Sequence, residues 1–371
     1  MDTYIPDSLP LKSLDYQRLL PLVGQANAAL ARYDGLLQGI PNPAVMLSPL
    51  TTQEAVLSSK IEGTQATVDE VLEQEAGPLK EGEKYKDIQE ISNYRKALFA
   101  AREYLSEYPI RLGFVRELHR ILMDSVRGQN KSPGEFRNDQ NWIGPEGCAI
   151  ERATFVPPNP LQLPSHLQAW ESYLDSDDID ALLQTALVHA QFELLHPFKG
   201  GNGRIGRILI PLFLYQKRAL SQPMFYLSEY LERYRAEYYQ RIKAISEEGD
   251  WNGWIAFFLQ AIITQAAQNS DRVALIQELY EEMKQEIHSA THSQYTVHVL
   301  DAIFSKPIFR SSELSQQLHC EHEIHEKTTS GLLRQMKETG ILVELQPGSG
   351  RRPATLCFLR LINLAEGREV I

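Results

Sequence analysis

The sequence predicts a mostly α-helical protein that carries a small β-hairpin and ends in a winged helix-turn-helix. Apolar residues recur at helical spacing along most of the chain. Residues 132–160 interrupt this pattern with Pro, Gly, Asn and a short β-favouring run, which predicts a loop with a hairpin. After residue 293, three short helical patterns precede two strand patterns, the order found in a winged helix.

The composition is that of an ordinary globular protein. With 371 residues, 43% hydrophobic and 23% charged, the chain is expected to form about two to three domains. The net charge of -11 argues against general binding to polyanions, so such a contact needs a local basic site. The three cysteines form no CxxC motif, and the acidic, proline-containing start does not resemble a signal peptide. The longest apolar stretch is too short to span a membrane, so we expect a cytoplasmic protein.

The predicted elements follow from periodicity and from Gly and Pro punctuation. Helices are predicted over residues 16–37, 52–61, 67–73, 86–104, 112–126, 161–194, 205–217, 227–246 and 254–290. The C-terminal part adds helices over 295–304, 311–318 and 326–339, with strands over 341–345 and 354–359 around a turn at 347–352. We expect three domains: an N-terminal helical region over 1–107, a helical core over 108–290 and a winged helix over 291–371.

Residues 196–207, HPFKGGNGRIGR, carry the chemistry that is easiest to interpret. The consecutive and near-consecutive glycines let backbone N–H groups approach a ligand, and the loop leads into the start of a helix, where an anion is favoured. Arg204 and Arg207 lie on one side of the first helical turn, where two guanidinium groups suit a pyrophosphate or triphosphate. His196 is placed to act as a general base.

Two other interpretations of this run compete with a phosphate loop. The residues 201–206 match GxGxxG, but that dinucleotide-binding motif needs a preceding strand, and residues 179–194 are helical in pattern. A Gly-rich connection with a core histidine is the plainer alternative. We disfavour it because a histidine, an asparagine and two spaced arginines fall within a dozen residues.

The run resembles the signature of Fic-domain (Fido) proteins, HPFx(D/E)GNGRxxR. Residues 58–64 resemble the inhibitory motif of that family, (S/T)xxxE(G/N), and residues 133–137 and 155–158 resemble its core and its substrate flap. The resemblance covers about residues 1–290, and a C-terminal winged helix is a common companion of this domain.

The resemblance implies transfer of AMP from ATP to a Ser, Thr or Tyr hydroxyl of a protein, including this chain itself as a target. His196 would deprotonate the hydroxyl, Arg204 would contact the β-phosphate and Arg207 the γ-phosphate. The further residues implied at the nucleotide are Gly201, Asn202, Gly203, Ile205, Gly206 and Tyr239. The implied substrate flap comprises Thr154, Phe155, Val156 and Pro157.

One position departs from the family signature. The acidic residue that holds Mg²⁺ on the phosphates falls at Gly200, after the cationic Lys199. Mg²⁺ is still expected with ATP, although its usual protein ligand is missing. A weakly active or non-catalytic regulator that binds nucleotide therefore stays open as an alternative function.

A second implied feature is autoinhibition. Ser58 and Glu62 are four residues apart and so share a helix face, and Gly63 ends that helix. By resemblance, Glu62 pairs with Arg207 and withholds it from the γ-phosphate. A homodimer contact is one way to cover or release Glu62. For the winged helix, contact with DNA and docking of a protein are both open, because its charges are nearly balanced.

Overall fold

The structure is a computed structural model that describes residues 3–77, 83–124, 129–145, 147–349, 353–367 and 369. The helices within these residues are α1 (Tyr16–Gln38), α2 (Pro43–Met46), α3 (Ser48–Ile61), α4 (Val68–Ala76), α5 (Glu83–Leu105), α6 (Leu112–Leu122), α7 (Leu163–Asp175), α8 (Ala181–Leu195), α9 (Asn202–Gln216), α10 (Ser228–Arg233), α11 (Arg235–Glu248), α12 (Trp251–Thr291), α13 (Thr296–Ser305), α14 (Ser311–His322), α15 (Glu326–Glu338) and α16 (Leu359–Glu366). The strands are β1 (Ile308–Arg310), β2 (Val343–Gln346) and β3 (Thr355–Cys357). The predicted mostly helical fold is confirmed.

The chain divides into two compact units, each built from several segments. The first comprises Met1–Asp34, Leu57–Thr64 and Gln89–Ala267. The second comprises Gly35–Val56, Gln65–Ile88 and Gln268–Ile371. The three-domain division of the sequence into 1–107, 108–290 and 291–371 stays a prediction.

Helices α8 and α9 form the centre of the first unit. Nearly every side chain of α8 is buried, including its polar residues Gln184, Thr185, His189 and Gln191, because the helix is packed on all sides. The indole N–H groups of Trp170 and Trp254 donate to the carbonyls of Val188 (3.0 Å) and Ala186 (2.9 Å). These bonds satisfy two buried tryptophans and fix α8 between α7 and α12.

The loop between α8 and α9 is set by residues with left-handed backbone. His196, the residue that follows α8, has φ 47°, and Gly201, the residue that precedes α9, has φ 76°. A Cβ on Gly201 would lie 2.9 Å from the sulfur of Met123, so glycine is required there for space as well as for conformation. The fold therefore presents His196 and the start of α9 on one short turn.

Several predicted boundaries were wrong. The helix predicted over 161–194 is two helices, because Asp180 caps a new start: its carboxylate accepts from the N–H groups of Leu182 (2.8 Å) and Leu183 (3.1 Å). The helix over 227–246 is likewise divided, into α10 and α11. The helix over 112–126 ends at Leu122, and residues 125–126 lie outside the described part.

The C-terminal winged helix lies in the second unit. Its helices α13, α14 and α15 match the prediction, and an antiparallel sheet of order β1-β3-β2 forms the wing. Strand β1 was missed by sequence reasoning, and Phe309 pairs there with Leu356. Leu359, predicted to end a strand, instead begins α16. The wing arginines at 351 and 352 lie outside the described residues.

Two of the three cations of the predicted recognition helix α15 are engaged within the protein. Lys337 pairs with Glu344 on β2 at 2.8 Å, and Arg334 lies 3.9 Å from Glu338. These exposed pairs are energetically weak, but they lower the net positive charge that α15 presents.

None of the helices in the described ranges combines the length and apolarity needed to cross a membrane.

Replacing Asp180 with Ala should lower the free energy of unfolding by about 1 kcal/mol, because α8 loses its N-cap. The other carboxylate oxygen of Asp180 also accepts from Asn27 at 2.8 Å, and that bond is lost too. Urea unfolding followed by circular dichroism measures the change. Asp177→Ala is the matched control, since that side chain is fully exposed. Equal stability of the two variants would contradict the capping role.

Candidate functional site

The turn between α8 and α9 is closed by a side chain of its own. The amide of Asn202 accepts from the N–H of Phe198 (2.8 Å) and donates to the carbonyl of Phe198 (2.9 Å). Both polar groups of this buried amide are therefore used inside the loop. The predicted role of Asn202 at the nucleotide stays a proposal, and its observed contacts shape the loop.

Arg137 supports the same turn from outside. Its guanidinium donates to the carbonyl of His196 (3.0 Å) and to that of Pro158 at the end of the flap (2.6 Å), and its backbone N–H donates to Pro197 (2.8 Å). Burial lowers the pKa of Arg137 to about 10, so it stays charged at neutral pH. One buried arginine thus fixes the histidine and the flap relative to each other.

His119 on α6 was missed by sequence reasoning. Its Nδ1 accepts from the N–H of Gly134 (2.9 Å), so Nε2 carries the proton and donates to the carbonyl of Gly200 (3.0 Å). Burial lowers the pKa of His119 to about 4, which keeps the ring neutral, and the ring stacks on Phe198. A histidine seven residues after a helix start gave no signal of this role in the sequence.

Arg204 and Arg207 point from the first turns of α9 into buried surroundings. Arg204 donates to Glu90 on α5 at 2.8 Å, an ion pair with about nine-tenths of each side chain buried. Glu90 was not anticipated from the sequence. Helix α5 thus supplies the counter-charge of one predicted phosphate ligand.

Arg207 is held by the helix that carries the predicted inhibitory motif. It donates through Nε to the hydroxyl of Ser58 (2.8 Å) and through Nη2 to the Ser58 carbonyl (2.8 Å) and to Glu62 (2.7 Å). The Arg207 side chain is 1% exposed and that of Glu62 is 31% exposed. The structure therefore brings together the two residues that the resemblance pairs.

The carboxylate of Glu62 lies over the start of α9. A Cβ on Gly203 would fall 2.3 Å from Glu62 Oε1, so glycine makes room for the carboxylate at the positive end of the helix dipole. Gly63, with φ 104°, ends α3 directly after it. The Glu62 carboxylate occupies the position that an anionic ligand of this helix terminus would take.

The charge states follow from these contacts. Burial raises the pKa of Glu62, but the Arg207 guanidinium outweighs it and holds the pKa below its usual range. Glu62 in turn raises the pKa of Arg207, which stays charged. Burial lowers the pKa of His196 to about 4, so its imidazole is neutral at pH 7.

A cavity of about 580 Å³ opens beside these groups. The proposed base His196, the guanidinium of Arg207 and the ring of Tyr239 all line it. Its other lining residues include Glu62, Gly203, Glu193, Tyr238, Trp142, Ile143, Thr154 and Phe155. Basic, aromatic and backbone groups thus converge on one space large enough for a small molecule.

The predicted flap forms part of this cavity. The β-hairpin is reduced to one antiparallel bridge, in which the N–H of Ile143 donates to Phe155 (2.9 Å) and the N–H of Thr154 donates to Ile143 (2.8 Å). Thr154 and Phe155 line the cavity, whereas Val156 and Pro157 are buried behind it.

Five of the predicted nucleotide residues do not line the cavity: Gly201, Asn202, Arg204, Ile205 and Gly206. The side chain of Ile205 is fully buried, and its N–H donates to Gly201 at 3.1 Å. Gly206 accepts at its carbonyl from Nδ1 of His189 (3.1 Å), whose Nε2 accepts from the hydroxyl of Tyr238 (3.0 Å). Ile205 and Gly206 thus contribute packing and helix position.

Gly200 offers no side chain to a metal ion. A Cβ there would lie 3.5 to 3.8 Å from the methylene carbons of Lys131, so the neighbouring side chain is cationic. Within the described ranges, no cluster of three or more His, Cys, Asp or Glu residues could hold a metal. The residues present do not fit a protein-held Mg²⁺ at this position.

The site combines a glycine-rich helix start, a neutral histidine and a carboxylate of the protein that lies over the helix start. The sequence model described as Fic/DOC family N-terminal matches residues 20–103, and the model described as Fic/DOC family matches residues 109–214. The chain belongs to the Fic/DOC family.

Relatives and solved structures agree with this assignment. The chain is 29% identical over 181 residues to a "probable protein adenylyltransferase" of Aquifex aeolicus, covering 47% of this chain and 51% of the relative. It is 28% identical over 261 residues to the protein adenylyltransferase Fic of Drosophila erecta, covering 68% and 46%. The chain thus spans about half the length of these curated relatives.

Two crystal structures share the fold. A Fic family protein of Desulfovibrio desulfuricans superposes with a TM-score of 0.57 at 20% identity, covering 96% of this chain and 98% of that chain. A Fic domain containing signaling protein of Bacteroides thetaiotaomicron gives 0.55 at 17% identity, covering 67% and 97%. At these identities the likeness shows the fold alone.

The Glu62–Arg207 pair should make stability depend on pH. Because the pKa of Glu62 is lowered by folding, its contribution is present above the ordinary pKa of 4.5 and is lost as the pH falls through the lower native value. The difference in unfolding free energy between the unmodified chain and Glu62→Gln should therefore shrink between pH 7 and pH 4. Urea unfolding at both pH values measures it, and a pH-independent difference would show that the pair is not ionic.

Proposed function

We propose that this protein is an autoinhibited protein adenylyltransferase, which transfers AMP from ATP to a Ser, Thr or Tyr hydroxyl of a protein. One observation carries the proposal: His196 and Arg207 line one cavity, and the guanidinium of Arg207 is bound there by the protein's own Glu62. A phosphate is the natural replacement for that carboxylate at a helix start. The names of the curated relatives support the same reaction.

The reaction follows from the charges of the site. The neutral imidazole of His196 takes the proton of the target hydroxyl, whose oxygen attacks the α-phosphorus of ATP. A bond from that oxygen to phosphorus forms, the bond to the bridging oxygen breaks, and pyrophosphate leaves. The triphosphate charge favours the imidazolium form and so strengthens a base whose pKa is about 4 without ligand.

The other residues act through position and charge. Arg207 binds the terminal phosphate once Glu62 has moved away, and the N–H groups at the start of α9 bind the neighbouring oxygens. Arg204, oriented by Glu90, adds positive charge beside the β-phosphate. Tyr239 lies at the cavity wall, where it suits the adenosine, and its ring is 5.8 Å from the guanidinium of Arg235.

Mg²⁺ would accompany ATP as a counter-ion of the phosphates, with no protein carboxylate at residue 200. We therefore assign charge stabilisation at the protein to Arg204 and Arg207.

We also infer a reducing compartment such as the cytoplasm from the free state of Cys148, Cys320 and Cys357.

For the winged helix, docking of a protein is better supported than contact with DNA. DNA binding depends on cations that are free to replace counter-ions at the phosphates. On α15 the cations Arg334 and Lys337 are paired with carboxylates of the protein. A salt-dependent mobility shift of duplex DNA by the full chain would contradict this assignment.

Glu62→Gly should raise covalent self-labelling by α-labelled ATP about tenfold to a hundredfold, a size typical of coupling between an inhibitory group and a site. The reason is that Arg207 is freed for the terminal phosphate. Radiolabel in acid-precipitated protein measures the transfer.

The control for chemistry is His196→Ala in the Glu62→Gly chain. It should bind ATP but reduce labelling about 10²- to 10⁴-fold, the usual contribution of a general base. Saturable ATP binding with no labelling in Glu62→Gly would favour the alternative, a non-catalytic nucleotide-binding regulator.

Removal of metal should affect nucleotide binding little. Because no protein carboxylate at residue 200 holds Mg²⁺, the Glu62→Gly chain should bind ATP with similar affinity in excess Mg²⁺ and in EDTA. Gly200→Asp supplies the missing carboxylate and should make binding dependent on metal. Calorimetric titration measures both, and a large loss in EDTA with Gly200 present would contradict the interpretation.

A further inference from the structure

Glu193, in the last turn of α8, is a carboxyl group that the proposed reaction does not use. It lines the same cavity as His196 and Arg207. Its Oε1 atom is buried and has no hydrogen-bond partner. A buried carboxyl oxygen without a partner costs free energy, so its presence in a ligand cavity calls for a function.

The position of the carboxyl is tightly defined by α9. A Cβ on Gly206 would lie 2.1 Å from Glu193 Oε1 and 3.3 Å from the ring of His189. Only glycine therefore allows the carboxyl to rest against the backbone of α9, one residue before Arg207. Glu193 therefore shares the cavity with the guanidinium that the proposed function gives to the terminal phosphate, and the two groups interact electrostatically.

Glu193 is faced by titratable groups on every element around it. Burial raises its pKa to about 8, Arg207 on α9 lowers it, and Glu62 from α3 raises it. Tyr238 and Tyr239 of α11 face it as neutral phenols, because their own pKa values are raised by burial. His196, the remaining neighbour, is neutral as well. At pH 7 the carboxyl is therefore protonated.

A neutral carboxylic acid donates a hydrogen bond, whereas a carboxylate only accepts. Nη1 of Arg207 is also buried without a partner. The N–H of Arg207 and the O–H of Glu193 are thus two unused donors on residues that line the cavity, together with the unpaired Nδ1 of His196. A phosphate group offers acceptors only, so it satisfies both, while an ionised Glu193 would repel it.

We propose that Glu193 binds nucleotide as a neutral acid and donates its O–H to the same phosphate that Arg207 binds. This inference rests on the proposed function, since it requires a triphosphate in the cavity. When Glu62 leaves, its negative charge no longer raises the pKa of Glu193, so Glu193 ionises more readily. When the triphosphate binds, its negative charge raises the pKa of Glu193 again. Nucleotide binding is then coupled to uptake of a proton.

The test uses the full chain with Glu62→Gly and His196→Ala, which binds ATP without transferring it and lacks the titration of His196. Calorimetry in two buffers of different ionisation enthalpy gives the number of protons taken up at pH 8. We expect a fraction of one proton, and an affinity that falls by up to about tenfold per pH unit above that pH. Adding Glu193→Gln, which keeps a neutral donor, should abolish the proton uptake and flatten the pH profile while affinity at pH 7 is kept.

Two controls make the result specific. Glu193→Ala should weaken ATP binding at pH 7, where Glu193 is a donor, and should remove the fall in affinity at higher pH. Glu237→Gln, at an exposed carboxylate paired with Arg241, should leave the pH profile unchanged. Equal proton uptake with Glu and Gln at position 193 would overturn the inference and leave the proposed function intact. Failure of the starting chain to bind ATP at any pH would overturn the proposed function itself.

Discussion

The structure depends on one buried guanidinium. Arg207 has 1% of its side chain exposed and makes three hydrogen bonds to Ser58 and Glu62. A charge without solvent needs a partner, so either the carboxylate of α3 or an incoming anion must supply it. In the proposed function, binding of a phosphate and release of Glu62 are therefore one exchange of partners. Because Arg207 is shielded from water, salt screens its charge weakly.

Two groups of residues surround Arg207: side chains that hold the loop in place, and carboxyl groups that line the cavity. Arg137, His119 and Asn202 fix the loop through hydrogen bonds to backbone carbonyls. Glu62 and Glu193 line the cavity and differ in charge, one ionised through Arg207 and the other neutral through burial. The site thus combines a loop held by three side chains with two carboxyl groups in different charge states.

Much of the fold and the central site residues followed from the sequence, because each is encoded locally. Helical spacing predicted most helices, and the contiguous run over 196–207 held the histidine, the glycines and both arginines. The break at Asp180 was missed although the polar run over 175–178 (Asp-Ser-Asp-Asp) marks it, and β1 was missed because three residues show no period. Glu90 and His119 act through tertiary contacts from other helices, so no local pattern marks them. The sequence marks Glu193 only indirectly, through Gly206, whose missing side chain leaves room for the carboxyl group.

The hydrogen bonds between Asn202 and Phe198 have a kinetic consequence. Since the loop is closed by its own amide, it needs no folding step when an anion arrives, and no loop entropy is lost on binding. In the proposed function, the association rate of the nucleotide is then set by diffusion and by how often Glu62 moves away. Inhibition of this kind acts through the lifetime of one side-chain position, while the geometry of the loop stays the same.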